Sequence, residues 1–516
     1  MVPLMFRRID ARSQQLLTLL LVLGVAMAMI PLWVPRLLPL LDLPNHLAAI
    51  TIWNNYHSPE WGFQRFYDLS TPLVPYWGYY FPVHALSWIF SVETSNKIFL
   101  SIYAASVPLS MLVAARQFGR DPWVSILSLP FIFNYNLMYG FISYCAGIPL
   151  IFLGVFCVDR ALNTPSQRRL MLVLICSFAV YFMHLLNWFV FGLCAIGLLL
   201  LHVRRWRTAL TVGLYMAPSV AFALWNVHSA SEQKVLMTPG PVKFTGAWLP
   251  GATLITDLPH RLLLDWTNSS VSWLLLVLLV SVIFLVTLGA IRHHSNHDLP
   301  LPAGRYSVEV MLLITMVTYC FLPFTMRTPF HWWNVGPRVA TIAAMFFLLL
   351  PRGERTGWLR LLFLPALLIS FIYPLQINAQ FRSFNERAMG MVRLAERIPR
   401  GSLTLTLTLG EKSDVAIAKD VVPYTEFPAY PQILAGGFNH VGWKSNFPFR
   451  LRSNLPPSPH WARPTEFRQE IHGYHYDYVI TQNEPVDGFL FGQSAPRVPL
   501  IARDGAWRLY QTRGIR

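Results

Sequence analysis

Charge is what this sequence has least of. Only 13% of its 516 residues are Asp, Glu, Lys or Arg, about half the share usual in a soluble globular protein. The shortfall comes from long stretches with no charge at all, which excludes an ordinary soluble enzyme and reads as a chain built to cross a bilayer. Acidic residues are scarcer still, 25 against 41 basic, for a net charge of +16. On a soluble domain such a surplus would form a nucleic-acid-binding patch. Here the arginines stand in short clusters between apolar runs, as cytoplasmic loops of membrane proteins do, so no nucleic-acid partner is expected. Cysteine is also sparse. Cys145, Cys157, Cys176, Cys194 and Cys320 all lie in or beside apolar runs without C-x-x-C spacing, which argues against a disulfide framework or zinc knuckle. A phosphate-binding glycine loop, a nucleophile elbow and an H-E-x-x-H motif are missing from the polar C-terminal region.

What is present is a succession of apolar runs. Arg7, Arg8 and Arg12 precede the first, at 16–34, which is too long for a signal peptide and reads as a span entered from the cytoplasm. Others lie near 97–115, 122–138, 140–158, 170–187, 188–203, 208–228, 271–291, 306–325, 338–351 and 358–378, giving about eleven transmembrane helices. The segment 76–92 is aromatic, short and interrupted by Pro82 and His84, which suits the membrane interface. Charge supports that placement. With 76–92 interfacial, the inner loops hold Arg116, Arg120, Arg160, Arg168, Arg169, Arg204, Arg205, Arg207, Arg292, Arg305, Arg352, Arg355 and Arg360. The outer loops hold only Lys234, Lys243, Arg261, Arg327 and Arg338, the bias expected of an inside-positive protein. The expected organisation is therefore a membrane domain over 1–378 with a long first outer loop at about 35–96. A small α/β domain follows over 379–516, on the outer face, which in a bacterial inner membrane is periplasmic.

In that last domain, residues 379–396 carry apolar positions at helical spacing, and 402–409 alternate Leu with Ser or Thr as a half-buried strand does. Residues 477–481 and 507–511 read as two more strands. Proline-rich stretches such as 456–459 break the middle into loops.

The residues able to carry chemistry cluster in outer loops. Asp42, in Leu-Asp42-Leu-Pro44-Asn-His46, stands four before His46 and would share a helix face with it. The ordinary reading is a helix N-cap, with the carboxylate bonded to backbone N–H groups. Asn134 and Tyr135 mark an outer tip before Gly140-Phe141. The stretch from Arg327 to Arg338 contains Trp332 and Asn334 and leads into a span; its arginines suit phosphate through their fixed fork of donors, while the tryptophans suit headgroup depth. His184 lies near the outer end of its span, where an ionisable residue is functional by default or bonds a neighbouring helix. Glu309, near an inner end, and His293, His294 and His297, in an inner loop, read as structural and solvated.

One cytoplasmic N-terminus, one span, an acidic residue just inside a long outer loop with interfacial helices, many further spans and an outer C-terminal domain: this layout resembles the GT-C glycosyltransferase superfamily. The local match is short, Asp42-x-Pro44-x-His46 and later Gly140-Phe141. The resemblance implies inverting transfer of a sugar from a polyprenyl-phosphate donor to a glycan or lipid acceptor outside the membrane, among membrane lipids as partners. Asp42 would be the base, His46 its orienting partner, and Arg338 or Arg327 the phosphate ligand. His184, Asn134, Tyr135, Trp332 and Asn334 would line the substrate pocket. Members with two acids at this place contrast with the single Asp42 here, which leaves open a divalent metal ion held by Asp42 and His46. Two other functions stay open from the residues alone: a lipid or glycolipid transporter or flippase, and a non-catalytic subunit of an envelope assembly complex. Against the transporter, the sequence shows no internal repeat and no charge pairs at mid-span.

Overall fold

The computed structural model describes residues 11–70, 74–235, 245–263, 269–294, 306–328, 332–351, 363–409, 421–438, 445–446, 448–460, 463–483, 490–491 and 498–512. Lys243, His297, Arg305, Arg352, Arg355 and Arg360 lie outside these. The chain is mostly helical and divides into two compact units. One comprises residues 1–30, 100–136 and 143–376; the other comprises 31–99, 137–142 and 377–516.

Among the described residues five helices are long and apolar enough to cross a membrane: Ala11–Trp33, Val92–Gln117, Ile142–Asn163, Val203–Asn226 and Leu364–Ala395. Four shorter apolar helices are Leu185–Leu201, Leu275–Phe284, Ser307–Phe321 and Val335–Leu348. One apolar run of the sequence takes a form its hydropathy does not show. Residues 122–138 are no single helix. Pro122–Ile132 is a 3-10 stretch containing Pro130, followed by the four-residue helix Tyr135–Met138. Proline removes a donor, and the Ser125 and Ser128 hydroxyls donate to the carbonyls three residues back. All eleven residues of the 3-10 stretch are buried, the condition under which irregular backbone is tolerated at membrane depth. The runs at 170–187 and 188–203 form the helices Gln167–Met183 and Leu185–Leu201, separated by His184 alone.

Trp77–Leu86, within the aromatic segment 76–92, is a helix of 10 residues. It is about 15 Å long and spans half of a ~30 Å hydrocarbon core.

The second unit combines the first loop with the C-terminal region. The helix Leu364–Ala395 carries the chain into it. Its main sheet has four strands in the order Thr404–Thr408, Tyr478–Gln482, Trp507–Gln511, Leu500–Asp504. The first pair is parallel and the others are antiparallel. Leu405, Leu407, Val479, Phe467, Phe491 and Tyr510 build its core. The alternation of 402–409 suggests one wet face, yet Thr404 and Thr406 are as buried as the leucines between them, and their hydroxyls have no hydrogen-bond partner.

A second sheet joins residues far apart in the chain. Tyr67–Leu69 of the first loop pairs antiparallel with Phe449–Leu451, which pairs with Ser445–Asn446. Around it, Gln432 donates to the Tyr67 hydroxyl at 2.6 Å and Gly437 N–H to the Trp61 carbonyl at 2.9 Å. Arg400 meets Glu60 and Arg452 meets Asp68, both at 2.7 Å. Those exposed pairs are screened by solvent and add little; burial of Phe63, Tyr67, Phe438 and Phe449 contributes more.

Candidate active site

Asp42 precedes the helix Leu43–Asn55, started by Pro44 in its first turn, where a proline costs no hydrogen bond. It occupies the N-cap position, but its side chain makes no capping hydrogen bond. The ordinary N-cap reading of this carboxylate therefore fails. The backbone of the residue is held by the segment before Gly140. Leu41 N–H donates to the Met138 carbonyl at 2.9 Å and Asp42 N–H to the Tyr139 carbonyl at 3.1 Å. Gly140, at φ +82°, makes this approach possible, since a Cβ there would lie 2.6 Å from the Asp42 nitrogen. The two pieces of the short motif, almost a hundred residues apart, thus meet.

His46, one turn into the helix, is buried. Its Nδ1 is 2.8 Å from the Tyr80 hydroxyl, and its ring packs against Tyr79 and Tyr80 with centroids 5.2 and 5.5 Å away. Burial pushes the imidazole down to about 3, partly opposed by a backbone hydrogen bond with Gly140, so the ring is neutral. With the Gly140 carbonyl taking the ring N–H, Nδ1 accepts from Tyr80. Burial also raises Tyr80, and the negative charges of Asp42 and Glu426 act in the same direction. Tyr80 therefore stays a hydroxyl. Tyr79 donates to Asn96 at 2.9 Å. Asp42, His46, Tyr80 and the Gly140 turn form one connected group on the second unit. Among the described residues no three His, Cys, Asp or Glu side chains are grouped to hold a metal, and His46 Nδ1 is engaged by Tyr80.

The other sequence candidates belong to the first unit. His184 ends one helix and caps the next, with its Nδ1 accepting from Leu186 N–H at 3.1 Å. Its ring lies 5.3 Å from Tyr144 and 5.9 Å from Trp332. The Tyr144 hydroxyl and the Asn136 amide both donate to the Arg338 carbonyl, at 2.7 and 3.3 Å. The Arg338 guanidinium turns back on its own turn, donating to the carbonyls of Asn334 and Trp333 at 3.1 and 2.8 Å. Asn334 is buried at φ +56° with neither side-chain polar atom hydrogen-bonded. Asn134 donates to the Phe131 carbonyl and the Tyr103 hydroxyl, closing the end of the 3-10 stretch. The backbone of Arg327 lies in the strand Thr325–Thr328; its side chain is outside the described residues.

Two residues of note escape the sequence reading. Tyr80 is hidden in a segment whose aromatics suggest only an interfacial helix. Arg261 counts there merely as an outer-loop charge. It is 6% exposed, stacks over the Tyr135 ring at 4.5 Å, and contacts Asp257 at 3.5 Å. Its Nε and Nη1 are buried with no hydrogen-bond partner, an arrangement costly for a guanidinium. A signal for it exists. Asp257-Leu-Pro-His-Arg261 repeats the pattern Asp42-Leu-Pro-Asn-His46. Asp257 also stands at a helix N-cap with proline following and no capping bond.

No family model and no curated protein matches this chain. Among solved structures it is similar to ArnT from Cupriavidus metallidurans in the apo state, with 11% identity, 97% of this chain and 98% of that one covered, and a TM-score of 0.48. For the same protein bound to undecaprenyl phosphate the values are 12%, 98%, 98% and 0.45. Arabinofuranosyltransferase AftD from Mycobacteria is matched at 11% identity and a TM-score of 0.44, over 96% of this chain and 41% of that one.

Proposed function

We propose that this protein is an integral membrane glycosyltransferase of the GT-C type, moving a sugar from a polyprenyl-phosphate donor to an acceptor hydroxyl at the outer face. In this reading the chain crosses a bacterial inner membrane about eleven times, with a cytoplasmic N-terminus and a periplasmic C-terminal region. The observation that carries the reading is the placement of Asp42: it sits at a helix start, and its backbone is clamped by the Gly140 turn beside a neutral His46.

Transfer requires a carboxylate to take the proton of the attacking hydroxyl, and Asp42 is that base. The acceptor oxygen bonds to the anomeric carbon from the face opposite the lipid phosphate. The bond from that carbon to the phosphate oxygen breaks, its electron pair stays on the phosphate, and the configuration inverts. A phosphate leaves as a stable anion, so positive charge rather than a strong acid is needed. On the first unit the candidate for that charge is Arg261, with two buried unpartnered N–H groups; Nε and Nη2 of Arg338 are engaged with backbone carbonyls. His46 and Tyr80 position Asp42 through Gly140.

The test is sugar transfer by purified wild type and Asp42→Asn, over a panel of polyprenyl-phosphate sugars and envelope glycans and lipids, read by mass spectrometry. Transfer by wild type and its loss in a folded variant are expected. A folded Asp42→Asn with full transfer would move the base elsewhere. No transfer by wild type would instead favour a lipid transporter or an assembly subunit.

A further inference from the structure

The sequence scatters its five cysteines through apolar runs, and the structure brings two of them together. Cys157 lies in the helix Ile142–Asn163 and Cys176 in the helix Gln167–Met183. Only residues 164–166 separate these helices, so they form a hairpin. Across it the two Sγ atoms meet at 3.7 Å. Both thiols are free and half-buried. The second helix is anchored to the rest of its unit by another face: Ser177, next to Cys176, shares a hydrogen bond with Ser219 of the helix Trp206–Val235. Beside the thiols, Leu172 and Ile175 are 40% and 57% exposed, apolar surface of the kind a span turns to lipid. The other cysteines are placed differently. Cys145 and Cys194 are buried, the first 3.8 Å from Asn134 Oδ1, and Cys320 is exposed.

We propose that Cys157 and Cys176 form a redox modification site: a reversible disulfide, made by a lipid-soluble quinone, that staples the two helices together. Two S–H bonds break and one S–S bond forms. The two electrons and two protons pass to the quinone, which becomes a hydroquinone. A disulfide bond is about 2.05 Å long, so the sulfurs must approach by roughly 1.7 Å, a movement that rotation about their Cα–Cβ bonds supplies. A quinone dissolved in lipid arrives at the exposed flank of Leu172 and Ile175, beside the thiols. The staple also bears on the open end of the hairpin. Tyr144 stands near the start of the first helix and His184 ends the second, with their rings 5.3 Å apart. Joining the helices restrains that contact.

This inference stands apart from the transferase reading, because its test needs no sugar transfer. Reduced wild type, Cys157→Ala and Cys176→Ala, in detergent and in liposomes, are treated with decylubiquinone, whose ring has no free position for a thiol to add. Remaining thiols are capped with N-ethylmaleimide, and digests are read by mass spectrometry without reductant. Most wild-type chains should give the Cys157 peptide joined to the Cys176 peptide, and dithiothreitol should separate the two. Neither alanine variant should give this product, and Cys320 should stay a capped thiol. Oxidised wild type should melt several degrees above reduced wild type, since a bridge restricts the unfolded chain; the variants should show no such rise. Diamide, a thiol oxidant that needs no bilayer, is the control. No bridge with either oxidant overturns the pairing, and a bridge with diamide alone overturns the quinone as oxidant. Oxidation of Cys320 while Cys157 and Cys176 remain thiols marks adventitious damage and overturns the site. A bridge that leaves the melting temperature unchanged overturns the staple.

Discussion

Replacing Gly140 by alanine should disable the protein while barely unfolding it. Two effects act at this position. The first is conformational: at φ +82° an L-residue costs roughly 1–2 kcal/mol. The second is a collision. The new Cβ would stand 2.6 Å from the Asp42 nitrogen, 2.8 Å from its Cβ and 3.0 Å from its Cα. Carbon contacts settle at about 3.5–4.0 Å, so the two segments must separate by about 1 Å. A displacement of that size at a reacting group costs about a hundredfold in rate. Transfer by Gly140→Ala should therefore fall about a hundredfold. The melting temperature should fall by only a few degrees, using about 2–4 °C per kcal/mol for a chain of a few hundred residues. Gly119 provides the control. It has φ +62° with nothing within 4 Å of an added Cβ, so Gly119→Ala carries the conformational cost without the collision. Steady-state transfer and thermal denaturation in detergent decide the matter. If Gly140→Ala keeps transfer within threefold of wild type, or if Gly119→Ala loses as much, the positioning argument is refuted.

Two further expectations come from the same features. His46 titrates near 3 when folded, far below its ordinary 6.5, so between those values the unfolded chain binds a proton that the folded one refuses. Its contribution to stability is complete above about pH 6.5 and is lost as pH falls, by up to about 1.4 kcal/mol per pH unit. Melting temperatures from pH 7.5 to 5 should drop more steeply for wild type than for His46→Gln, and equal slopes would rule the linkage out. Arg261→Ala should weaken donor use about ten- to a hundredfold, the value of charged hydrogen bonds, and weaken inhibition by sugar-free polyprenyl phosphate equally. Unaltered inhibition would exclude Arg261 as the phosphate ligand.

Much of the secondary structure is legible in the sequence, because it depends on neighbouring residues. Pro44 marks a helix start, and residues 477–481 and 507–511 read as strands from their branched and aromatic residues. The strand Leu500–Asp504 escapes notice since it is an edge, and its exposed positions impose little pattern. The stretch 122–138 is uncharged and mostly apolar, and apolarity alone does not distinguish a span from a buried 3-10 run; Pro130 and the spaced serines do. Site geometry is less accessible. Asp42 and His46 stand out by spacing, but the missing capping bond depends on backbone contacts with 138–139, and the burial of Arg261 depends on Tyr135. Both are products of long-range packing, which local patterns do not encode.

The pairing of Tyr67–Leu69 with Phe449–Leu451 also bears on how the chain is made. Asp68 and its ion-pair partner Arg452 are 384 positions apart. At translation rates of about 5–20 residues per second, roughly 20–80 s pass between the emergence of the two. During that interval the first loop has no partner for its strand, and Phe63 and Tyr67 have no cover from the C-terminal region. The nascent loop is therefore a client for whatever factors shield apolar segments during membrane insertion. A chain stopped before residue 449 would reach the membrane with its first loop unfinished.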